Sequence, residues 1–323
     1  MRPLLTTLIV ITTIIFLRSA AMAETKIEKL DYRGWPNSYR ISNGTIELVA
    51  TSDVGPRIIH LGFSGGGKNL FAVFDDSAGK TGGEEWRIYG GHRLWHSPED
   101  RNRTYEPDNV TVKVEEIPNG IRLKPAVEAG TGIQKVMEIQ MNPSEPRVQV
   151  THRLQNTGVW PIELAAWALS VMDQGGFAIV PFRSEFHPDG LLPNRVVVLW
   201  PYADMADDRF LWGKDHVLLR QVPGRNKTKI GINNSKGWAA YYLEPYLFVK
   251  RFDYAQDKPY PDFGASVEVY TGSNMLELET VGPLENLDPG QSLVHEERWE
   301  LHQDIELDFS EDEVRSKVVP LVE

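Results

Sequence analysis

Apolar and polar residues alternate along this chain with a period of two, far more often than with helical spacing, and that rhythm commits most of it to β-strands. Val110, Val112 and Val114 alternate with Thr111, Lys113 and Glu115. Val148, Val150 and Leu154 share a face with His152, opposite Gln149, Thr151 and Arg153. Met137, Ile139 and Met141 oppose Glu138 and Gln140, and Ile46 and Leu48 oppose Glu47. Turn formers punctuate these runs at Asn43-Gly44, Pro118-Asn119-Gly120, Asn142-Pro143 and Asp288-Pro289-Gly290. Asn119-Gly120 between two alternating segments predicts a hairpin. One helix is expected, near the C-terminus. Ser310 is its N-cap, Glu311, Asp312 and Glu313 complement the dipole in its first turn, and it ends near Val318 because Pro320 cannot continue it. Many strands with no βαβ rhythm predict an all-β sandwich closed by a short helix.

The first residues read as an address. Arg2 precedes an apolar run of 14 residues, Leu4 to Leu17, followed by Arg18, Ser19 and small residues ending in Ala21-Met22-Ala23. That A-x-A site places cleavage before Glu24, and the run is shorter than the roughly 20 residues a spanning helix needs. Residues 1–23 are therefore expected to be a signal peptide, with a periplasmic or secreted product and no membrane span after cleavage. No linker or repeat divides residues 24–323, so a single domain is expected. The chain carries 34 basic and 45 acidic residues, a net charge of −11. Removing Arg2 and Arg18 leaves 32 against 45, or −13. Such a surface repels nucleic acid. With no cysteine, disulfides, thiol nucleophiles and zinc–cysteine clusters are excluded.

Two segments concentrate chemistry. Glu84 to Glu99 (EEWRIYGGHRLWHSPE) gathers Trp86, His92, Arg93, Trp95 and His96 around Gly90-Gly91. Aromatic faces suit the apolar side of a sugar ring, and Arg or carboxylate groups hydrogen-bond its hydroxyls. A metal fits less well. In an extended segment, residues four apart lie about 13 Å from one another at about 3.3 Å per residue. Two zinc ligands must each place an atom about 2 Å from the ion. Neither metal nor cofactor is expected. In the second segment, Asn274 to Leu301, Leu276 and Leu278 share one face, so Glu277 and Glu279 share the other. A carboxylate on the inner face of a sandwich can transfer protons, whereas one on the outer face is solvated. Asp262, in the Pro- and Asp-rich stretch before the strand Ala265 to Thr271, can accept a sugar hydroxyl or serve turn chemistry.

Four stretches carry a family likeness: NGTIELVATSDVGPRIIHLGF, GGHRLWHSPE, PIELAAWALSVMDQGG and LELETVGPLENLDPGQSLVHEERWEL. Together they resemble the galactose mutarotase-like (aldose 1-epimerase-like) superfamily, in scattered patches across roughly residues 38–302. The likeness is to an uncharacterised bacterial branch rather than to the proven epimerases. It implies a large antiparallel β-sandwich, a supersandwich, that takes a sugar or oligosaccharide. In an aldose 1-epimerase a glutamate removes the anomeric proton while a histidine protonates the ring oxygen. The resemblance places Glu279 as the base, His96 or His92 as a sugar-site histidine, and Arg57 as a hydroxyl ligand. Trp86, Arg93, Trp95, Trp167 and Asp262 would complete the substrate site. The central strand holds Trp167 where epimerases carry their acid histidine. An indole N–H donates one hydrogen bond and transfers no proton at neutral pH. Either His92 or His96 supplies the acid from another strand, or the pocket binds sugar without opening it.

Overall fold

The alternating segments fold into two sheets. The structure, a computed structural model, describes residues 25–183 and 190–323. The expected signal peptide lies outside the described residues. Among them no helix is long and apolar enough to cross a membrane.

The eleven-stranded sheet carries the site on its centre. Five adjacent strands matter: Gly91–Ser97, Ile162–Met172, Leu276–Val281, Val267–Thr271 and Thr228–Ile232, in that order and antiparallel. The ten-stranded sheet behind it includes Tyr246–Phe252, Ser292–His302, Arg147–Asn156 and Ile133–Met141. Facing side chains of both sheets form one apolar layer. Leu48, Ile58, Leu94 and Leu278 from the first sheet join Met137, Ile139, Val150, Leu154 and Trp299 from the second. Each such side chain taken from water contributes about 1.5–3 kcal/mol. The architecture is the expected all-β sandwich.

The hairpin forms as expected, between Lys113–Ile117 and Gly120–Lys124. Asn119 takes a positive φ of 57°. Gly120 is required by packing, since a Cβ there would lie 1.8 Å from the carbonyl oxygen of Ile139. Two expectations change at element ends. The strand begins at Lys113, so Val110 and Val112 precede it. The Asn109 amide donates to the carbonyls of Gly83 and Glu85, and Val112 N–H donates to Ser52, which ties that stretch to loops instead of a ladder. The C-terminal helix does not stop near Val318. Val314–Val318 is a π-turn and Val319–Val322 a further α-turn, in which Pro320 sits among the first residues. The wide turn resets the hydrogen-bond ladder just before the proline, where a missing N–H costs little. Ser310 has the extended backbone of a cap but makes no side-chain cap bond.

One polar cluster interrupts the apolar layer. His92 Nε2 lies 3.0 Å from His152 Nε2 on the facing sheet, and His92 Nδ1 lies 2.9 Å from Ser170 Oγ. Glu297 takes an ion pair from Lys250 at 2.8 Å and accepts from Thr280 and from the indole of Trp299. Lys250 also donates to the carbonyls of Ala168 and Leu278 across the interface. All of its protons thus have acceptors, as a buried ammonium requires. His92, His152 and Glu297 place ligand atoms within 4.8 Å of one another, a spacing one cation would accept. The ammonium and two neutral donors already occupy the Glu297 oxygens, so that carboxylate is satisfied by protons, while Nδ1 of His152 has no partner among the described residues. Burial holds His92 well below the usual histidine value, against the pull of Glu297, so it is neutral there.

Candidate functional site

In an antiparallel sheet, directly paired residues point to the same side. Arg93 pairs with Leu169, Leu169 with Glu279, Glu279 with Glu268, and Glu268 with Gly231. This row crosses all five central strands on the face turned away from the second sheet. Flanking it, Trp95 pairs with Trp167, while Glu277 pairs with Tyr270 and Tyr270 with Lys229. The other face of the same strands carries His92, Leu94, His96, Leu278, Val269 and Ile230, and belongs to the core.

Above the outer face lies a cavity of about 370 Å³. Its walls are aromatic: Trp86, Trp95, Trp167, Trp200, Tyr105, Tyr202 and Tyr270. The rings brace one another, with Trp95 5.3 Å from Trp86, 5.0 Å from Tyr105 and 5.4 Å from Trp167 between centroids. Such contacts each add about 0.5–1.5 kcal/mol beyond burial and fix the ring planes. Gly231 lets neighbouring segments pack closely over the sheet, since a Cβ there would stand 2.9 Å from the Ala265 methyl and 3.3 Å from Cβ of Val198. Arg93, Lys227, Lys229, Glu99 and Glu277 also line the cavity. Arg93 lies 4.3 Å over the Trp95 ring and pairs with Glu277 at 2.8 Å.

Beneath this cup is an ionic floor. Lys229 Nζ lies 2.7 Å from Glu268 Oε2 and 3.0 Å from Glu279 Oε2, with the rings of Trp167 and Trp200 at 4.7 and 4.6 Å. The Trp167 indole donates to Glu279 Oε2 at 2.7 Å, and Oε1 of Glu279 has no partner. Burial alone would lower the lysine, but Glu268 and then Glu279 overcome it and hold Lys229 above its ordinary value. Burial raises both carboxyls against the pull of Lys229, with Glu279 further raising Glu268 and Glu277 further raising Glu279. One lysine faces two buried carboxyl groups, and burial holds both above their ordinary values.

A second cavity of similar size, on the outer face of the other sheet, is lined by Arg147, Arg251, Arg298 and Glu300. Its arginines are already paired with Glu145, Glu300 and Asp253, and no aromatic wall rises over them.

The sequence matches no family model and no curated protein. Solved structures of the same shape exist. A galactose mutarotase related enzyme from Lactobacillus acidophilus superposes with a TM-score of 0.52 at 9% identity, over 83% of this chain and 98% of that one. The chain has the galactose mutarotase-like fold. A galactose mutarotase-like protein from Clostridium acetobutylicum gives a TM-score of 0.51 at 10% identity, over 87% of this chain and 99% of that one. A TPR-domain containing protein from Parabacteroides distasonis gives 0.55 at 12%, over 84% of this chain, which spans only 48% of that longer one. At these identities the likeness is one of fold.

On this mutarotase-like scaffold the expected residues separate into two groups. Trp86, Arg93, Trp95 and Trp167 come together as walls of one cavity, and Glu279 lies at its floor, fully buried. The glutamates are not solvated as strand carboxylates usually are: Glu277 is also buried. His92 and His96 are not brought to Glu279. Strand alternation sends both to the core face with Leu94, His92 into the inter-sheet cluster and His96 to within 3.5 Å of Glu128, beside Lys135. The pairing of Glu279 with an imidazole across one cavity is therefore not formed. Arg57 shares the outer face with Arg93 but is sealed beneath loops, donating to Asp108 at 2.6 Å and to the Gly90 carbonyl at 2.9 Å. It does not line the cup. Nor does Asp262, which occupies a single 3-10 turn and acts on the site only through its charge, raising Glu268. Lys229, Glu268, Tyr105, Tyr202 and Tyr270 were not singled out in the sequence, and Trp200 was not told apart from core. The alternation Thr228-Lys229-Ile230-Gly231-Ile232 and Val267-Glu268-Val269-Tyr270 held the signal, because the charged and aromatic residues occupy every second place.

Proposed function

We propose that this protein is an exported, periplasmic or secreted, carbohydrate-binding protein, folded from residues 24–323 as one domain, and that the aromatic cup holds a sugar or oligosaccharide. The observation that carries this reading is the cup itself: seven aromatic rings around paired cations and carboxylates on a concave sheet face. Ring faces accept the C–H faces of a pyranose, and the Arg93–Glu277 and Lys229–Glu279 pairs supply oriented donors and acceptors for hydroxyls. Tryptophan fluorescence titration with a panel of mono- and oligosaccharides tests it. Saturable quenching is expected, and Trp167→Ala is expected to weaken binding at least tenfold, about 1.4 kcal/mol. A flat titration across the panel would refute the proposal.

A second reading, acid–base chemistry of aldose 1-epimerase type, has one specific observation in its favour. Glu279 keeps a raised carboxyl with Oε1 unpartnered. Against it, Oε2 is held by both Lys229 and Trp167, and His92 and His96 turn to the opposite face. Polarimetry on freshly dissolved anomers separates the two. Faster equilibration that Glu279→Gln abolishes would establish the enzyme, and binding with an unchanged rate would establish the binding protein.

A further inference from the structure

The cup contains donors that nothing among the described residues satisfies. Arg93 is 2% exposed, yet only one of its guanidinium nitrogens, Nη2, has an acceptor. Nε and Nη1 are buried with no hydrogen-bond partner, and so is the indole Nε1 of Trp86, whose ring lies 5.7 Å from the same guanidinium. Both side chains line the cavity. A buried guanidinium with two bare nitrogens is costly, and native proteins rarely leave one without a role. Lys227 adds a cation at the rim. It lies 4.5 Å over the Tyr202 ring and has no carboxylate within ion-pair distance among the described residues.

We infer that the sugar held in the cup is acidic, a uronate whose carboxylate is taken by the free edge of Arg93 and by the Trp86 indole, with Lys227 at the rim. The inference rests on the sugar-binding reading and names its ligand class. The chemistry follows from geometry. Neutral hydroxyls need donors and acceptors in similar number, whereas the unsatisfied groups on Arg93 and Trp86 are all donors. A carboxylate is acceptor-only and meets a guanidinium edge with two parallel bonds. Glu277 takes one Nη2 hydrogen, so the ligand carboxylate would use the other Nη2 hydrogen together with Nε or Nη1, and the guanidinium would bridge one protein carboxylate and one from the ligand. Lys229 has two of its three hydrogens taken by Glu268 and Glu279, which neutralise it and leave one hydrogen for a hydroxyl. The Trp86 and Trp95 rings lie 5.3 Å apart on one side of the guanidinium, and Trp86, partly buried on a segment outside the strands, is the ring that shifts to let the carboxylate reach Arg93 while its indole N–H donates.

The test is calorimetric titration at pH 7 with uronic acid disaccharides of gluco, galacto and manno configuration, each beside its methyl ester, which keeps the shape and removes the charge. At least one acid is expected to bind tenfold or more tightly than its ester. Arg93→Gln should reduce that preference to less than twofold. Because Arg93 is buried, Lys227→Gln provides a second arm on an exposed residue: the preference should fall two- to threefold with an unchanged circular dichroism spectrum. Acid and ester binding equally well would overturn the inference and leave the sugar-binding reading standing. A preference that survives both substitutions would overturn it too. If neither acids, esters nor neutral disaccharides bind, the sugar-binding reading falls with it.

Discussion

Replacing Lys229 with Met removes the sole cation of the floor and keeps the stem that packs between Trp167 and Trp200. At separations of 2.7 and 3.0 Å, each carboxylate attracts the ammonium with roughly 5–6 kcal/mol at an effective dielectric of about 20. Much of that offsets the cost of burying the charges. Breaking a buried pair by removing one partner costs about 3–5 kcal/mol net, because the other charge stays behind. Here two carboxyls stay behind, so a loss of about 4 kcal/mol at pH 8 is expected for Lys229→Met. The loss has a distinctive pH dependence. Glu268 and Glu279 have folded values above their ordinary ones, and removing the lysine raises them further. Such groups favour the folded state fully below the unfolded value near 4.5 and lose that contribution as pH rises through the folded value. Lys229→Met should therefore recover most of its stability as pH falls from 8 towards 5. Urea unfolding across that range reads it out, and Lys229→Met combined with Glu268→Gln should be at least 2 kcal/mol more stable at pH 8 than the single variant, by about the cost of one unpaired buried charge. A loss below about 1 kcal/mol, typical of exposed pairs, or one independent of pH, would refute this account of the floor.

Two further outcomes follow from the placement of the histidines. His92→Asn should leave sugar affinity within twofold while lowering stability by about 1–3 kcal/mol through the unpaired groups of the inter-sheet cluster, read by titration and urea unfolding; a tenfold loss of affinity with normal stability would place His92 in the cup after all. His295 is held at about 4, chiefly by burial, against an ordinary 6.5. The unfolded chain therefore takes up this proton first, and stability falls as pH drops from 6.5 towards 4. At pH 5 that amounts to about 2 kcal/mol, so His295→Gln should show a shallower loss between pH 7 and pH 5 than the parent. Identical slopes would be the contrary result.

How much of this was legible in the sequence depended on distance along the chain. Local alternation gave the strands, the Asn119-Gly120 hairpin and the opposed faces of Leu278 and Glu279, because a strand fixes its side chains two by two. The same rule, applied within Gly91–Ser97, separates Arg93 and Trp95 from His92 and His96, with apolar Leu94 marking the core side. Composition drew attention to all four together, and the period divides them. The floor was hidden for another reason. The resemblance marked Glu279, but Lys229 and Glu268 lie on two further strands with no local signature, and each alone looks like an ordinary polar residue on a solvated face. Only pairing and the roof of Trp167 and Trp200 make them neighbours and bury them. The passage of the C-terminal helix beyond Val318 was likewise illegible, since a π-turn leaves no mark in the order of residues.

Lys250 bolts the two sheets at a fixed offset. Its ammonium rises from one layer and is grasped by main-chain oxygens of two adjacent strands in the other. Main-chain oxygens do not swing aside as side chains do, so sliding one layer past the other by even half a strand spacing would strip a charge of its ligands in a dry interior. Shear is thereby closed off as a way for this molecule to adapt. Whatever reshaping accompanies a guest must come from the segments at the mouth, above a platform that stays put.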